Sequence, residues 1–220
     1  MRVAYLHGFL GSPAIWGTHA LPGHGDGPVR ATWQANIEAV AAAIGEVDAV
    51  VGYSLGARVA TALVALGFVP RAVLISVNPG IDDADRPPRR ARDAGWARML
   101  REDGLATFVA AWEAQPLFAT QERVAPQRRA ARRAHRLAHD PEQLARSLEV
   151  MGLAEMPDYR HLIDERFALI AGADDPTYVG IARALPAPLE LIADAGHDPT
   201  FEQPAATAAA IARALAPPRS

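Results

Sequence analysis

Apolar residues come in two rhythms along this chain. Short unbroken runs of about four to six mark buried strands, and longer stretches with apolar positions three and four apart mark helices. Val3 to Leu6, Ala49 to Val51, Ala72 to Val77, Phe167 to Ala171 and Leu189 to Ile192 are of the first kind. Thr32 to Ile44 is of the second, with Trp33, Ile37, Val40, Ala41 and Ile44 on one face. So are Leu55, Val59, Ala62, Leu63 and Leu66, and the Ala-rich stretch from Pro204 to Leu215, which starts at a proline and is stopped by Pro217 and Pro218. Strands alternating with helices predict an α/β protein built on a mostly parallel sheet with flanking helices.

The texture changes from Ile81 to Arg160. That stretch has helical patterns (Trp96, Met99 and Leu100; then Leu105, Phe108, Val109 and Trp112, broken at Gln115-Pro116-Leu117-Phe118) and no convincing strand. The pattern predicts a helical cap over residues 81–160, inserted into a core made of 1–80 and 161–220 and covering a pocket mouth. No internal repeat interrupts this organisation.

Composition narrows the function classes. At 220 residues the chain is one domain or one domain with an insert, and its net charge of −3 argues against general nucleic-acid binding. No apolar run reaches membrane-spanning length, and no signal peptide is expected ahead of Val3. The absence of cysteine rules out disulfides and thiolate metal sites and fits a cytoplasmic, reducing compartment. All 22 basic residues are arginine, and 14 of them fall between residues 81 and 160. Arg129, Arg132, Arg133 and Arg136 share one helix face; the simplest reading is a solvated basic face, although one or two pointing inward would suit a carboxylate ligand.

The candidate chemistry sits at strand ends. Gly52-Tyr53-Ser54-Leu55-Gly56 lies between a strand and a helix. A turn that tight leaves no room for side chains two residues on either side of the serine, so both flanking positions are glycine. The turn also sets Ser54 at a helix N-terminus, where free N–H groups favour negative charge. An ordinary Gly-rich turn would carry the same five residues. The next clue is Asp175, which follows the fourth strand in Gly172-Ala173-Asp174-Asp175, and His197, which follows the last. A serine hydroxyl is a weak nucleophile or base until a histidine takes its proton, and the histidine needs a carboxylate to fix its tautomer. Ser54, Asp175 and His197 are therefore the expected relay. Asp174 and Asp194 compete for the acid, and the reach of a G-x-x-D loop favours Asp175. The loop His7-Gly8-Phe9-Leu10-Gly11-Ser12 can aim the Phe9 N–H, with that of Leu55, at an oxyanion; a plain strand-exit turn reads the same. His24, in Leu21-Pro22-Gly23-His24-Gly25, is expected to be structural, with nothing nearby in sequence to pair with it.

These segments carry a resemblance. The chain resembles the α/β-hydrolase-fold proteins, and within them the family of menaquinone-pathway 2-succinyl-6-hydroxy-2,4-cyclohexadiene-1-carboxylate synthases. The shared segments are Leu6 to Ser12, Leu21 to Gly25, Gly52 to Arg58, Asn78-Pro79-Gly80, Trp112 with Gln115 to Phe118, and Ala195-Gly196-His197. The elbow and Ala-Gly-His belong to the whole superfamily, whereas Arg58 and the Trp112 stretch are more particular. The resemblance implies a lyase without cofactor or metal, in which the relay acts as a base and pyruvate is eliminated from a small carboxylate-bearing substrate. It implies Tyr53, Arg58, Arg89, Trp112 and Arg136 as the substrate pocket. Two departures stand out. Members of the family carry a helix and a further strand where only Ala14 to Ala20 is available here, so the sheet is expected to lose a strand or keep a stub. Their basic residue after the acid loop is replaced by Pro176-Thr177. A serine hydrolase acting on a small ester uses the same relay, and a non-catalytic binding protein could keep the scaffold; both remain open from sequence.

Overall fold

The computed structural model describes residues 1–216, so the Pro217-Pro218 stop lies outside the described residues. In chain order the elements are β1 (Val3–Leu6), α1 (Trp33–Ile44), β2 (Ala49–Tyr53), α2 (Leu55–Ala65), β3 (Ala72–Ile75), α3 (Arg86–Glu102), α4 (Gly104–Glu113), α5 (Pro126–Arg136), α6 (Pro141–Val150), β4 (Phe167–Gly172), α7 (Pro176–Arg183), β5 (Leu189–Ile192), α8 (Pro199–Glu202) and α9 (Pro204–Leu215). Among the described residues the strands form one sheet in the order β1-β2-β3-β4-β5, with every neighbouring pair parallel. Parallel pairing brings all the strand C-termini to one edge, where Ser54, Ser76, Asp175 and His197 follow their strands.

Both faces of the sheet are covered, and strand alternation sorts the side chains between them. Val50, Ala72, Leu74 and Leu169 pack with α1 and α2 in one core; Ala49, Val51, Tyr53, Val73, Ile75 and Ile170 pack with Ala210, Ile211 and Leu215 of α9 in the other. Each buried leucine-sized side chain contributes about 1.5–3 kcal/mol, so both faces hold the sheet in register.

Between β3 and β4 the described residues include no strand. There α3 packs on α4 and α6. Ala97, Leu100, Phe108, Val109, Leu144 and Leu148 form a third core, which Phe9 and Leu10 of the β1 loop enter from below. A salt bridge under α5 ties this region to the sheet: Arg132 Nη2 lies 2.5 Å from Asp198 Oδ2, with 12% and 3% of the two side chains exposed. Arg136 is as deeply buried, its Nη1 2.9 Å from Glu113 Oε1. The basic face of α5 is thus not simply solvated: it alternates inward pairs with outward Arg129.

The short Ala14–Ala20 connection leaves a stub. Leu6 and His19 form an isolated parallel bridge, and Thr18 N donates to Tyr5 O at 2.8 Å. One bridge is all that seven residues supply beside β1 where a strand and helix were expected in longer chains.

Candidate active site

The turn at Ser54 is as tight as its glycines imply. A Cβ on Gly52 would lie 2.2 Å from the Gly56 carbonyl oxygen, and one on Gly56 would lie 2.0 Å from that of Leu6. Ser54 itself has φ 51°, a left-handed conformation that side chains rarely adopt and that costs about 1–3 kcal/mol. The strain lifts its hydroxyl above the sheet edge at the N-terminus of α2.

His197 reaches it from the loop after β5. His197 Nε2 is 3.2 Å from Ser54 Oγ, and His197 Nδ1 is 3.0 Å from Asp175 Oδ2. Asp175 and His197 are buried. The backbone orients the acid, because Tyr178 N donates to Asp175 Oδ1 at 3.1 Å. Asp174, the competing acid, is instead paired with Arg123 at the surface. The histidine loop is held by a residue that no sequence motif marked: Glu202 Oε2 accepts from Gly196 N (2.9 Å) and its Oε1 from Asp198 N (3.2 Å), one on each side of His197. Chains of bonds from buried carboxylates fix an imidazole better than packing alone.

The first loop is built around histidines. Leu10 N donates to His24 Nε2 at 3.1 Å, and Leu21 N donates to His7 Nε2 at 3.2 Å. Each ring therefore carries its proton on Nδ1, which donates to Pro22 O in His24 and to Gly8 O in His7. Burial pushes the His7 imidazole down to about 4 and that of His24 well below its usual range. His139, from the segment after α5, packs edge-on against His24 with ring centroids 5.4 Å apart. His24 is structural, as expected, but it does have partners: they come from distant parts of the chain. Together these rings set the Gly8–Gly11 turn and the left-handed Leu10 (φ 60°) beside Phe9. No hydrogen-bond acceptor among the described residues engages the Phe9 N–H, and Leu55 N–H heads a helix, where no acceptor lies one turn back.

Ser54 and His197 open into a cavity of about 340 Å³. Phe9, Leu55, Arg58, Arg89 and Trp112 line it, and so do Arg92, Tyr178, Ser76 and Phe118. Arg58 Nη1 donates to Met151 O at 2.8 Å, and burial, with Arg89 nearby, lowers its guanidinium to about 10. Arg89 Nε donates to Asp93 Oδ2 at 2.9 Å. Two expected pocket residues are elsewhere. Tyr53 follows the alternation of β2, so its ring turns with Val51 toward the α9 face and packs edge-on against Trp16 (centroids 6.4 Å apart). Arg136 is spent on Glu113 at the end of α4. Arg92 stands in the cavity in its place, one helical turn from Arg89, at an i, i+3 spacing visible in the sequence.

Among the described residues no group of three or more His, Asp or Glu side chains is placed to hold a metal ion, and no helix is long and apolar enough to cross a membrane.

Comparison with known proteins agrees with this architecture. The model of the alpha/beta hydrolase family matches residues 3–210. A 2-succinyl-6-hydroxy-2,4-cyclohexadiene-1-carboxylate synthase of Klebsiella pneumoniae (strain 342) is 36% identical over 177 residues, which is 76% of this chain and 67% of that protein. One of Citrobacter koseri (strain ATCC BAA-895 / CDC 4225-83 / SGSC4696) is 30% identical over 238 residues, 97% of this chain and 93% of that protein. The structure of MenH from S. aureus superposes with a TM-score of 0.88 at 25% identity, covering 97% of this chain and 92% of that one.

Proposed function

The chain belongs to the alpha/beta hydrolase family, and from that premise we propose that it is a carbon–oxygen lyase that eliminates pyruvate from a cyclic polycarboxylate. The observation that carries the reading is the company Ser54 keeps: Arg58, Arg89 and Arg92 share its cavity with His197. Guanidinium groups bind carboxylates in paired, charge-assisted hydrogen bonds, and a substrate with several carboxylates needs several of them. The names of the relatives, synthases of a succinyl cyclohexadiene carboxylate, support the same choice.

In this reading Ser54 Oγ takes a proton from the substrate ring and passes its own to His197 Nε2. Asp175 holds the imidazole in the tautomer that accepts it and stabilises the imidazolium. The ring C–H electron pair becomes a new double bond, the ring C–O bond breaks, and the three-carbon unit leaves as the enolate, which takes up a proton to become pyruvate. The Phe9 and Leu55 N–H groups hold the negative charge that develops on the substrate oxygen. No acyl-enzyme forms.

A second reading keeps the relay and changes the reaction. Phe9, Trp112, Phe118 and Leu148 give the same cavity an apolar wall able to hold an acyl group, which suits hydrolysis of a small carboxylic ester with Ser54 as nucleophile. One experiment separates the two. The pyruvate-bearing cyclohexene polycarboxylate of the menaquinone pathway and p-nitrophenyl acetate are each supplied to wild type and Ser54→Ala. Pyruvate release that disappears in the variant supports the lyase. Ester cleavage without pyruvate release overturns it in favour of the hydrolase.

A further inference from the structure

A second cavity, of about 430 Å³, lies on the other side of the Gly8–Ser12 loop from Ser54. Phe9 is the one residue that lines both. Ala14, Ile15 and Trp16, from the short Ala14–Ala20 connection, form its outer rim. Its floor is the buried Tyr53 ring and Asp198. Its roof is one face of α5, with Arg128, Arg132 and His135, and Phe201 closes the end.

The lining is amphipathic, with its charge on one side. Ile15 is 39% exposed although it sits at a cavity rim, and Trp16 and Phe201 are only partly buried. On the α5 side, Arg132 uses Nη2 for Asp198 while its buried Nη1 has no hydrogen-bond partner among the described residues. Arg128 lies over the Phe201 ring, 5.0 Å from its centroid, donates its Nη2 to Phe201 O at 2.7 Å, and has no carboxylate partner among the described residues. Two guanidinium groups thus face one carboxylate, which leaves a net positive charge beside an apolar slot. The Ser12 hydroxyl in the same wall is also without a hydrogen-bond partner among the described residues. A slot of this size and composition fits a small molecule, and its charge selects an anionic head.

We infer that this cavity is a second ligand site, separate from the Ser54 cavity, for a monocarboxylate with an aromatic or branched apolar body. The carboxylate sits at Arg128 under α5, and the apolar body lies between Ile15, Trp16 and Phe201.

Calorimetric titration with sodium 4-phenylbutyrate tests the assignment on the full-length protein, with 4-phenylbutyramide as the uncharged comparator. The amide is expected to bind about tenfold more weakly, the range of one charge-assisted contact. Arg128→Ala and Trp16→Ala are each expected to weaken the acid by about five- to tenfold, and Arg58→Ala, in the Ser54 cavity, by less than about twofold. Arg128 is exposed, so its variant retains the fold, and a thermal melt of each variant checks this. The inference is overturned if the acid shows no binding at millimolar concentration, if the amide binds as well, or if affinity falls with Arg58→Ala and not with Arg128→Ala.

Discussion

Tyr178 lays its ring against the His197 imidazole, with centroids 4.3 Å apart, while its own N–H donates to Asp175 Oδ1. One residue therefore touches both Asp175, through its backbone, and His197, through its side chain. Its phenol is pushed up by burial, with Arg58 opposing, so it stays neutral at ordinary pH. Tyr178→Phe keeps the ring and is expected to leave kcat within about threefold. Tyr178→Leu removes the flat surface and frees the imidazole, and is expected to lower kcat about tenfold, or about 1.4 kcal/mol of barrier. Steady-state kinetics on both variants decide it; equal loss in the two would show that the hydroxyl, not the packing, matters.

The arginines of the Ser54 cavity should act on substrate charge. Arg58→Met keeps the stem and loses the guanidinium, so KM for a carboxylate substrate is expected to rise about tenfold or more, the worth of a charge-assisted bond in a buried site. Turnover of an uncharged ester should change by less than about threefold. The contrast is the measurement: if both substrates suffer alike, Arg58 supports the structure through Met151 and does not read the ligand.

Much of this site could be read from the sequence because it follows from local rules. Ser54, Asp175 and His197 each lie in the loop that leaves an apolar run, and parallel strands end at one edge. Where the reading failed, the cause was tertiary. Tyr53 was expected in the substrate pocket next to Ser54, yet alternation along β2 sends its ring to the opposite face; that rule was available from Val51. Arg136 was placed by likeness alone, and its partner Glu113 lies 23 residues away in another helix. His7, His24 and His139 meet from three separate segments, and Glu202 reaches back around the histidine loop. No spacing along the chain announces either arrangement. The stub at His19 is legible as a deficit of residues, but the cavity beside it is not.

His7 makes stability depend on pH. In the folded chain its imidazole is held down to about 4 by burial, against 6.5 for an exposed histidine. Between those values the unfolded chain binds the extra proton, so stability falls as pH drops from about 6.5 toward 4, by about 3 kcal/mol in all. His24, lowered in the same direction, adds to the loss. Urea unfolding at a series of pH values between 7.5 and 4 measures the slope. His7→Asn is expected to flatten it, whatever its effect on stability at neutral pH. A slope unchanged by the substitution would place the acid sensitivity in other groups.

Glu202 tests whether the histidine loop is held from behind. Its two oxygens accept from the N–H groups of Gly196 and Asp198, and the carboxylate is buried. In Glu202→Gln the side chain is nearly the same shape, but one acceptor becomes an NH2 that faces a backbone donor. A buried donor without an acceptor costs about 1–3 kcal/mol, so the melting temperature is expected to fall by a few degrees. The backbone that carries His197 then loses one of its two anchors. Because relay geometry tolerates little displacement, kcat is expected to fall about tenfold with KM nearly unchanged. Glu202→Ala removes both anchors and should lose more of both quantities. If stability falls in these variants and kcat does not, Glu202 supports the fold without positioning the imidazole.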